Sequence, residues 1–174
     1  YDANGATDGD EFQVNTHTVF TQWRPSIAMD PEGNSVIAWE SSGQDGSFFG
    51  VYAQRYDAEG VPAGDEFQVN TWTSNSQNLA SVSMDDQGRF VVAWSSTDQD
   101  GSQFGVHAQV FYADGSPSGT EFQVNTHTDD RQYEPVVAMN TSGRFAVAWR
   151  GDDQDGDSGG VFAKQFNGIH TACI

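Results

Sequence analysis

The sequence predicts an all-β fold made of repeated antiparallel sheets, and three observations carry that expectation. The chain repeats itself: Glu11-Phe12-Gln13-Val14-Asn15-Thr16 recurs from Glu66 to Thr71 and from Glu121 to Thr126, and Trp39, Trp94 and Trp149 keep the same 55-residue period without insertion or deletion. Within each copy, apolar residues alternate with period 2 in short runs bounded by glycine-containing turns, and no stretch shows the 3.6 period of a capped helix. Finally, 19 glycines, a single lysine (Lys164) and 13% aromatic residues describe a turn-rich chain with enough apolar surface to fold.

Each element of the first copy has a local reason. Ser26-Ile27-Ala28-Met29 alternates as a strand. Asp30-Pro31-Glu32-Gly33-Asn34 is a turn, with Gly33 placed where positive φ is needed. Ser35 to Trp39 returns as a second strand, and an acidic glycine loop from Ser41 to Gly50 leads to a third, Val51 to Tyr56. A second glycine turn, Asp57 to Gly64, precedes a fourth strand, Glu66 to Asn70. Four antiparallel strands, then a linker to the next identical set, is the layout of a propeller blade. The predicted fold class is therefore a β-propeller of four-stranded antiparallel blades, one domain over residues 1–174, with repeats at 1–55, 56–110 and 111–165 and a tail at 166–174. Small residues on the first strand (Ala28, Ala80, Ala138) suit a crowded central edge, and the three tryptophans are large enough to fill the space between blades. A β-solenoid is the competing architecture, but it does not need a tight glycine hairpin in every repeat.

Gly88 to Trp94, Asp98-Gln99-Asp100-Gly101-Ser102, Gly105 to Gln109 and the Glu-Phe-Gln-Val-Asn-Thr run together resemble repeats of large bacterial surface and secreted proteins, similar to the FG-GAP and VCBS class of propeller blades. The resemblance spans residues 1 to about 166 and implies an extracellular setting, with calcium-binding or adhesion modules nearby.

Charge and composition narrow the partners. Twenty-five acidic residues against seven basic ones give a net charge of −18, which disfavours nucleic acid and anionic membranes and fits a secreted protein or a cation binder. No apolar run approaches a membrane span. The one cysteine, Cys173, makes no internal disulfide, and the chain carries no recognisable leader, which reads as a mature form or an excised piece.

Three repeats do not close a propeller, and their phase is uneven. The strand Glu11, Phe12, Gln13, Val14, Asn15 precedes the first hairpin, whereas the third copy follows its third strand (Val161 to Phe166) with a departure from the pattern. The expectation is that Glu11–Asn15 completes the last blade of a second copy, giving a homo-oligomeric ring or a filament; a segment of a longer chain is the alternative.

The loops offer two candidate chemistries. Asp45, Asp98, Asp100, Asp153, Asp155 and Asp157 form Asp-x-Asp-Gly-like loops, whose paired carboxylates could turn toward one calcium ion, although Gly43 stands where the second copy has Asp98. The linkers diverge most between copies, with only Gln22, Gln77 and Gln132 repeated. Their aromatic and basic residues, His17, Trp23, Arg24, Trp72, Arg131 and Tyr133, could hold a glycan by stacking and hydrogen bonding; the alternative is that the repeated glutamine anchors the linker while its neighbours drift. His17, His107, His127 and His170 accompany no nucleophile motif, and Asn140-Thr141-Ser142 fits a glycosylation sequon in a turn. The sequence thus predicts a non-enzymatic structural or adhesive repeat protein, extracellular or at the cell surface, with a calcium-assisted carbohydrate-binding propeller as the alternative and a glycan-active enzyme as the least supported.

Overall fold

The computed structural model describes residues 10–168. All regular structure among them is β, in three antiparallel sheets. The first sheet runs β1 (Gln22–Met29), β2 (Ser35–Ser42), β3 (Phe49–Tyr56) and β4 (Phe67–Gln68). The second repeats it with β5 (Gln77–Met84), β6 (Phe90–Thr97), β7 (Phe104–Phe111) and β8 (Phe122–Gln123). In the third, β9 (Gln132–Met139), β10 (Phe145–Gly151) and β11 (Gly160–Phe166) form a three-stranded sheet. Cys173 and His170 lie outside the described residues.

The sheets pack face to face in chain order, which is what two-sided apolar strands require. Val36, Ala38, Val51, Ala53 and Val69 of the first repeat meet Val82, Phe90, Val92, Trp94 and Phe111 of the second in one core. Val91, Ala93, Val106, Ala108 and Val124 meet Val137, Phe145, Val147 and Trp149 in the next. Trp94 and Trp149 thus fill the space between successive sheets, and Trp94 is fully buried. Phe90 stacks on Phe111 and Phe145 on Phe166, with centroids 4.9 and 4.8 Å apart, so the hairpin ends repeat the same aromatic contact.

Two features of the strands differ from the alternation. The fourth strands are only two residues long. Val69 N–H still bonds Val51 O at 2.8 Å, but the Asn70 side chain then takes the next ladder position, its Oδ1 accepting Val51 N–H at 2.7 Å. A side chain has replaced the backbone. The first strands, in turn, begin at Gln22, Gln77 and Gln132, earlier than expected, and run through a bulge with a register shift between Trp23 and Ser26. Arg24, Leu79 and Glu134 sit there at φ 51, 57 and 56°, a left-handed conformation that breaks period 2 and hides the strand's beginning from a pattern search. The hairpin turns behave as predicted: Gly33 has φ 95°, and Asp30, Asp85 and Asn140 each accept the N–H four residues on at 2.9–3.0 Å. That bond explains Asn140 as a turn residue.

Candidate functional site at the linker end

The linkers are built on one repeated polar frame. Asn15, Asn70 and Asn125 donate through Nδ2 to the carbonyls of His17, Trp72 and His127 at 2.7, 2.8 and 2.8 Å. The same carboxamides reach Gln22, Gln77 and Gln132 Oε1, and those glutamines donate to Val19, Ser74 and Asp129 O at 2.9, 2.9 and 2.7 Å. Gln77 and Gln132 are fully buried. The repeated glutamine therefore fixes the linker backbone in all three copies, while the side chains pointing outward are free to vary.

A second frame ties neighbouring repeats together. Glu66 Oε2 accepts Thr16 N–H and Oγ1–H at 2.7 and 3.0 Å, and its Oε1 accepts Gln44 Nε2 at 2.6 Å. Glu121 repeats the clamp on Thr71 at 2.6 and 3.0 Å and on Gln99 at 2.5 Å. These are charge-assisted bonds to groups that would otherwise be loop ends. Burial, with Asp45 and Glu66 nearby, pushes the Tyr52 phenol up to about 12. In the second repeat, His107 takes that place, and burial lowers its pKa against the opposing pull of Glu121 and Asp100.

The six aspartates of the candidate calcium loops are held by local geometry. Asp45, Asp100 and Asp155 Oδ1 accept the N–H two residues on, at 3.0, 3.2 and 3.3 Å. Their other oxygen turns inward over Gly50, Gly105 and Gly160, where a Cβ would collide with it. Asp98 and Asp153 occupy left-handed positions (φ 60 and 55°) equivalent to Gly43 (φ 69°), so Gly and Asp alternate there for a conformational reason. Asp98 Oδ2 accepts Asn75 Nδ2 at 3.0 Å, and Asp157 Oδ1 accepts Ser158 N–H at 2.7 Å. Among the described residues, no three carboxylate or imidazole groups are placed to hold one metal ion.

The candidate glycan residues separate into two clusters on this end. Trp23, exposed, stacks on Phe49 with centroids 5.5 Å apart and planes at 19°, and the Arg24 guanidinium lies 4.7 Å from the Trp23 ring centre. Arg24 is steadied by Glu40 at 3.5 Å. In the third repeat Tyr133 occupies the Trp23 position; Arg131 and Arg150 both lie 5.1 Å from its ring centre, and Phe104 packs beside it at 6.3 Å. Asp152 pairs with Arg131 at 3.2 Å and Arg150 at 3.4 Å, and its hydrogen bond is the main cause of the raised Arg131 pKa. Arg150 and Phe49 were not among the residues the sequence singled out, because neither lies in a linker. Trp72 is exposed but turns its indole N–H to Ser74 O at 3.1 Å, and His17 and His127 serve the frame through their carbonyls. These three do not join the Trp23 or Tyr133 clusters.

No family model matches the chain, and no curated protein sequence does, so the resemblance of the repeats to the FG-GAP and VCBS class draws no family match. Solved structures do match. An endo-arabinase from Bacteroides thetaiotaomicron aligns at 16% identity and TM-score 0.55 over 87% of this chain and 58% of its own. A protein of unknown function from Dyadobacter fermentans aligns at 13% identity and TM-score 0.58, over 86% and 39%. An α-L-arabinofuranosidase from Lactobacillus brevis aligns at 13% identity and TM-score 0.52, over 87% and 51%. The chain spans 39–58% of the length of these proteins, and at such identities the likeness is one of fold. It corrects the expectation of a non-enzymatic chain: two structures with a similar fold are named an endo-arabinase and an α-L-arabinofuranosidase, so the lack of a nucleophile motif in the sequence is no basis for excluding catalysis.

Proposed function

We propose that the three sheets are consecutive blades of an extracellular propeller whose linker end recognises a glycan. The observation that carries this reading is the placement of cations. In a chain with seven basic and 25 acidic residues, Arg24, Arg131 and Arg150 all lie over aromatic rings at the one end where the repeats diverge. A guanidinium laid over an aromatic ring turns its outer N–H fork to ligand hydroxyls, while the ring edge meets sugar C–H groups. The rigid Asn–Gln frame beneath holds these groups without needing a ligand to order them. The likeness in fold to a protein named an endo-arabinase makes arabinan the first probe.

Titration of the protein with arabinan, followed by tryptophan fluorescence or affinity electrophoresis, tests the reading. Removing both platforms with Trp23→Ala and Tyr133→Ala should weaken binding about tenfold or more, since each aromatic contact is worth about 0.5–1.5 kcal/mol beyond its area. Repeating the titration with a chelator separates calcium-assisted from direct recognition, and a reducing-sugar assay on the same samples reads hydrolysis. Equal affinity in the wild type and the double variant, or no binding to arabinan or any other polysaccharide tried, removes the proposal.

A further inference from the structure

The first repeat departs from its two siblings around one glycine. Four positions in the linker and the β2–β3 loop are polar in the other copies: Ser74 and Asp129, Asn75 and Asp130, Asp98 and Asp153, Gln103 and Ser158. The first copy holds Val19, Phe20, Gly43 and Phe48 there. In the second copy the contact is polar, with Asn75 Nδ2 donating to Asp98 Oδ2 at 3.0 Å. In the first, the Phe20 ring lies on Gly43, where a Cβ would come within 3.3 Å of its Cδ2 and 3.4 Å of its Cε2. Phe48 O accepts Gly43 N–H at 2.8 Å, so both phenylalanines meet the loop at this residue.

The fold gains little from this exchange. Phe20 keeps the left-handed φ of 60° that Asn75 and Asp130 share (62 and 58°), a region that asparagine and aspartate tolerate and a bulky ring does not. Phe20 is 76% exposed, Phe48 66% and Val19 55%. Three of the chain's 12 phenylalanines are exposed, and two are these. The exposure belongs to the positions: Asp130, with a repeat before it, and Gln103, with a repeat after it, are exposed as well. Burial therefore does not explain the two rings.

Their neighbours point to the occupant. Trp23 follows Phe20 by three residues, no more than about 11 Å away along the backbone. It stacks on Phe49, next to Phe48, with centroids 5.5 Å apart. Two short segments thus bring four rings to the linker end: Phe20 and Trp23 from the linker, Phe48 and Phe49 from the loop. Arg24 lies over Trp23, but among the described residues no cation lies over Phe20 or Phe48, so their exposed faces suit C–H groups rather than charge. We propose that Phe20 and Phe48 extend the Trp23 platform and take further sugar units of an uncharged glycan chain by their C–H faces, an assignment that rests on the glycan reading of this end. The net charge of −18 sets an anionic chain at a disadvantage. A ligand that reaches both parts of the platform is an oligomer, so affinity rises with chain length until the platform is covered.

Phe20→Asn, Gly43→Asp and Phe48→Gln together give the first copy the residues of the second, a combination this fold already accommodates. The Tm of the triple variant should hold within about 2 °C of the wild type, because asparagine suits the left-handed position better than phenylalanine. Calorimetric titration with arabinan should show affinity down about fivefold or more, the loss of two aromatic contacts. With arabino-oligosaccharides of increasing length, the wild type should keep gaining affinity past the length at which the triple variant levels off. Equal affinity, or parallel length profiles, overturns the subsite and leaves the rings to a protein or lipid surface. A Tm loss beyond about 5 °C overturns it too, by showing that the rings hold the fold. Trp23→Ala with Tyr133→Ala, titrated alongside, keeps the two readings apart. Loss of binding there with none in the triple variant removes this subsite alone, whereas a wild type that binds no glycan removes both.

Discussion

Replacing one asparagine at its three repeated positions separates the polar frame from mere packing. Asn125 is buried: its Oδ1 accepts Val106 N–H at 2.8 Å, and its Nδ2 donates to His127 O at 2.8 Å and, at 3.3 and 3.4 Å, to Asp100 Oδ2 and Gln132 Oε1. Asn125→Leu keeps the volume but leaves the fully buried Val106 N–H without an acceptor and strips a donor from the partly exposed His127 carbonyl. An unsatisfied buried group costs about 1–3 kcal/mol, and the carbonyl recovers part of its loss from water, so the sum is about 2–4 kcal/mol. For a chain of this size each kcal/mol lowers Tm by about 2–4 °C, which gives a drop of roughly 5–15 °C. Asn70→Leu should come close to it, because Asn70 makes the same bonds to Val51 N–H, Trp72 O and Gln77 and lacks only the counterpart of the long Asn125–Asp100 bond. Asn15→Leu should cost less than half as much in dilute solution, since Asn15 bonds His17 O but no described valine N–H. Calorimetry of the three variants reads the contrast directly. Equal losses at all three positions would refute the assignment of the cost to the stranded N–H.

Gly50→Ala places a Cβ 2.8 Å from Asp45 Oδ2 and should cost about 1–3 kcal/mol by overpacking. Adding Asp45→Ala should return part of that loss, and strict additivity of the two in denaturant melts would show that the aspartate is not the obstacle. His107 has a folded pKa below its ordinary 6.5, mainly through burial. Below pH 6.5 the unfolded chain takes a proton that the folded one resists, so stability present above that value falls as pH drops through the window beneath it. His107→Phe, the kind of residue Phe162 supplies in the third copy, should shrink the Tm difference between about pH 7.5 and about pH 5; an unchanged difference would place the acid sensitivity elsewhere.

The strands were legible because short apolar runs, buried on both faces in β2, β3, β6 and β7, stand between glycine turns, and the repeat multiplied the signal by three. The bulge at Arg24, Leu79 and Glu134 was not legible, since three unrelated residue types share one left-handed conformation and no composition marks it. The shortness of β4 and β8 escaped for a related reason: alternation shows that Val69 faces inward but cannot show that the Asn70 side chain will take the valine N–H in place of a backbone carbonyl. The acidic loops were read from residue type alone. Asp-x-Asp-Gly says that two carboxylates are near, whereas the inward turn of Asp45 and Asp100 toward a glycine five residues on is a property of the folded loop. The recurrence of Gly50, Gly105 and Gly160 was in fact the trace of that contact. The glutamate clamp also left a trace, in the joint repetition of Glu66, Thr16 and Gln44, but only the fold shows that these positions converge.

Comparison of the three copies position by position gives the linker end its physical logic. Where a side chain closes a bond in every copy, the residue does not change: Asn70 with Gln77 and Asn125 with Gln132 are the same pair doing the same work. One step outward, where the frame is already satisfied, Trp23, Asn78 and Tyr133 share a backbone position and little else. Variation of that kind costs the fold almost nothing, because the linker conformation is set by buried amides beneath it rather than by the residue on display. The two copies that carry an aromatic there also carry arginine over the ring, and the copy with Asn78 has none. Drift alone gives no reason for ring and guanidinium to arrive together twice, at 4.7 and 5.1 Å, on a chain so poor in cations. Their pairing is what a surface shaped to meet a polyhydroxyl ligand would retain, and so the outermost layer of the repeat, not its invariant core, is where recognition should be sought.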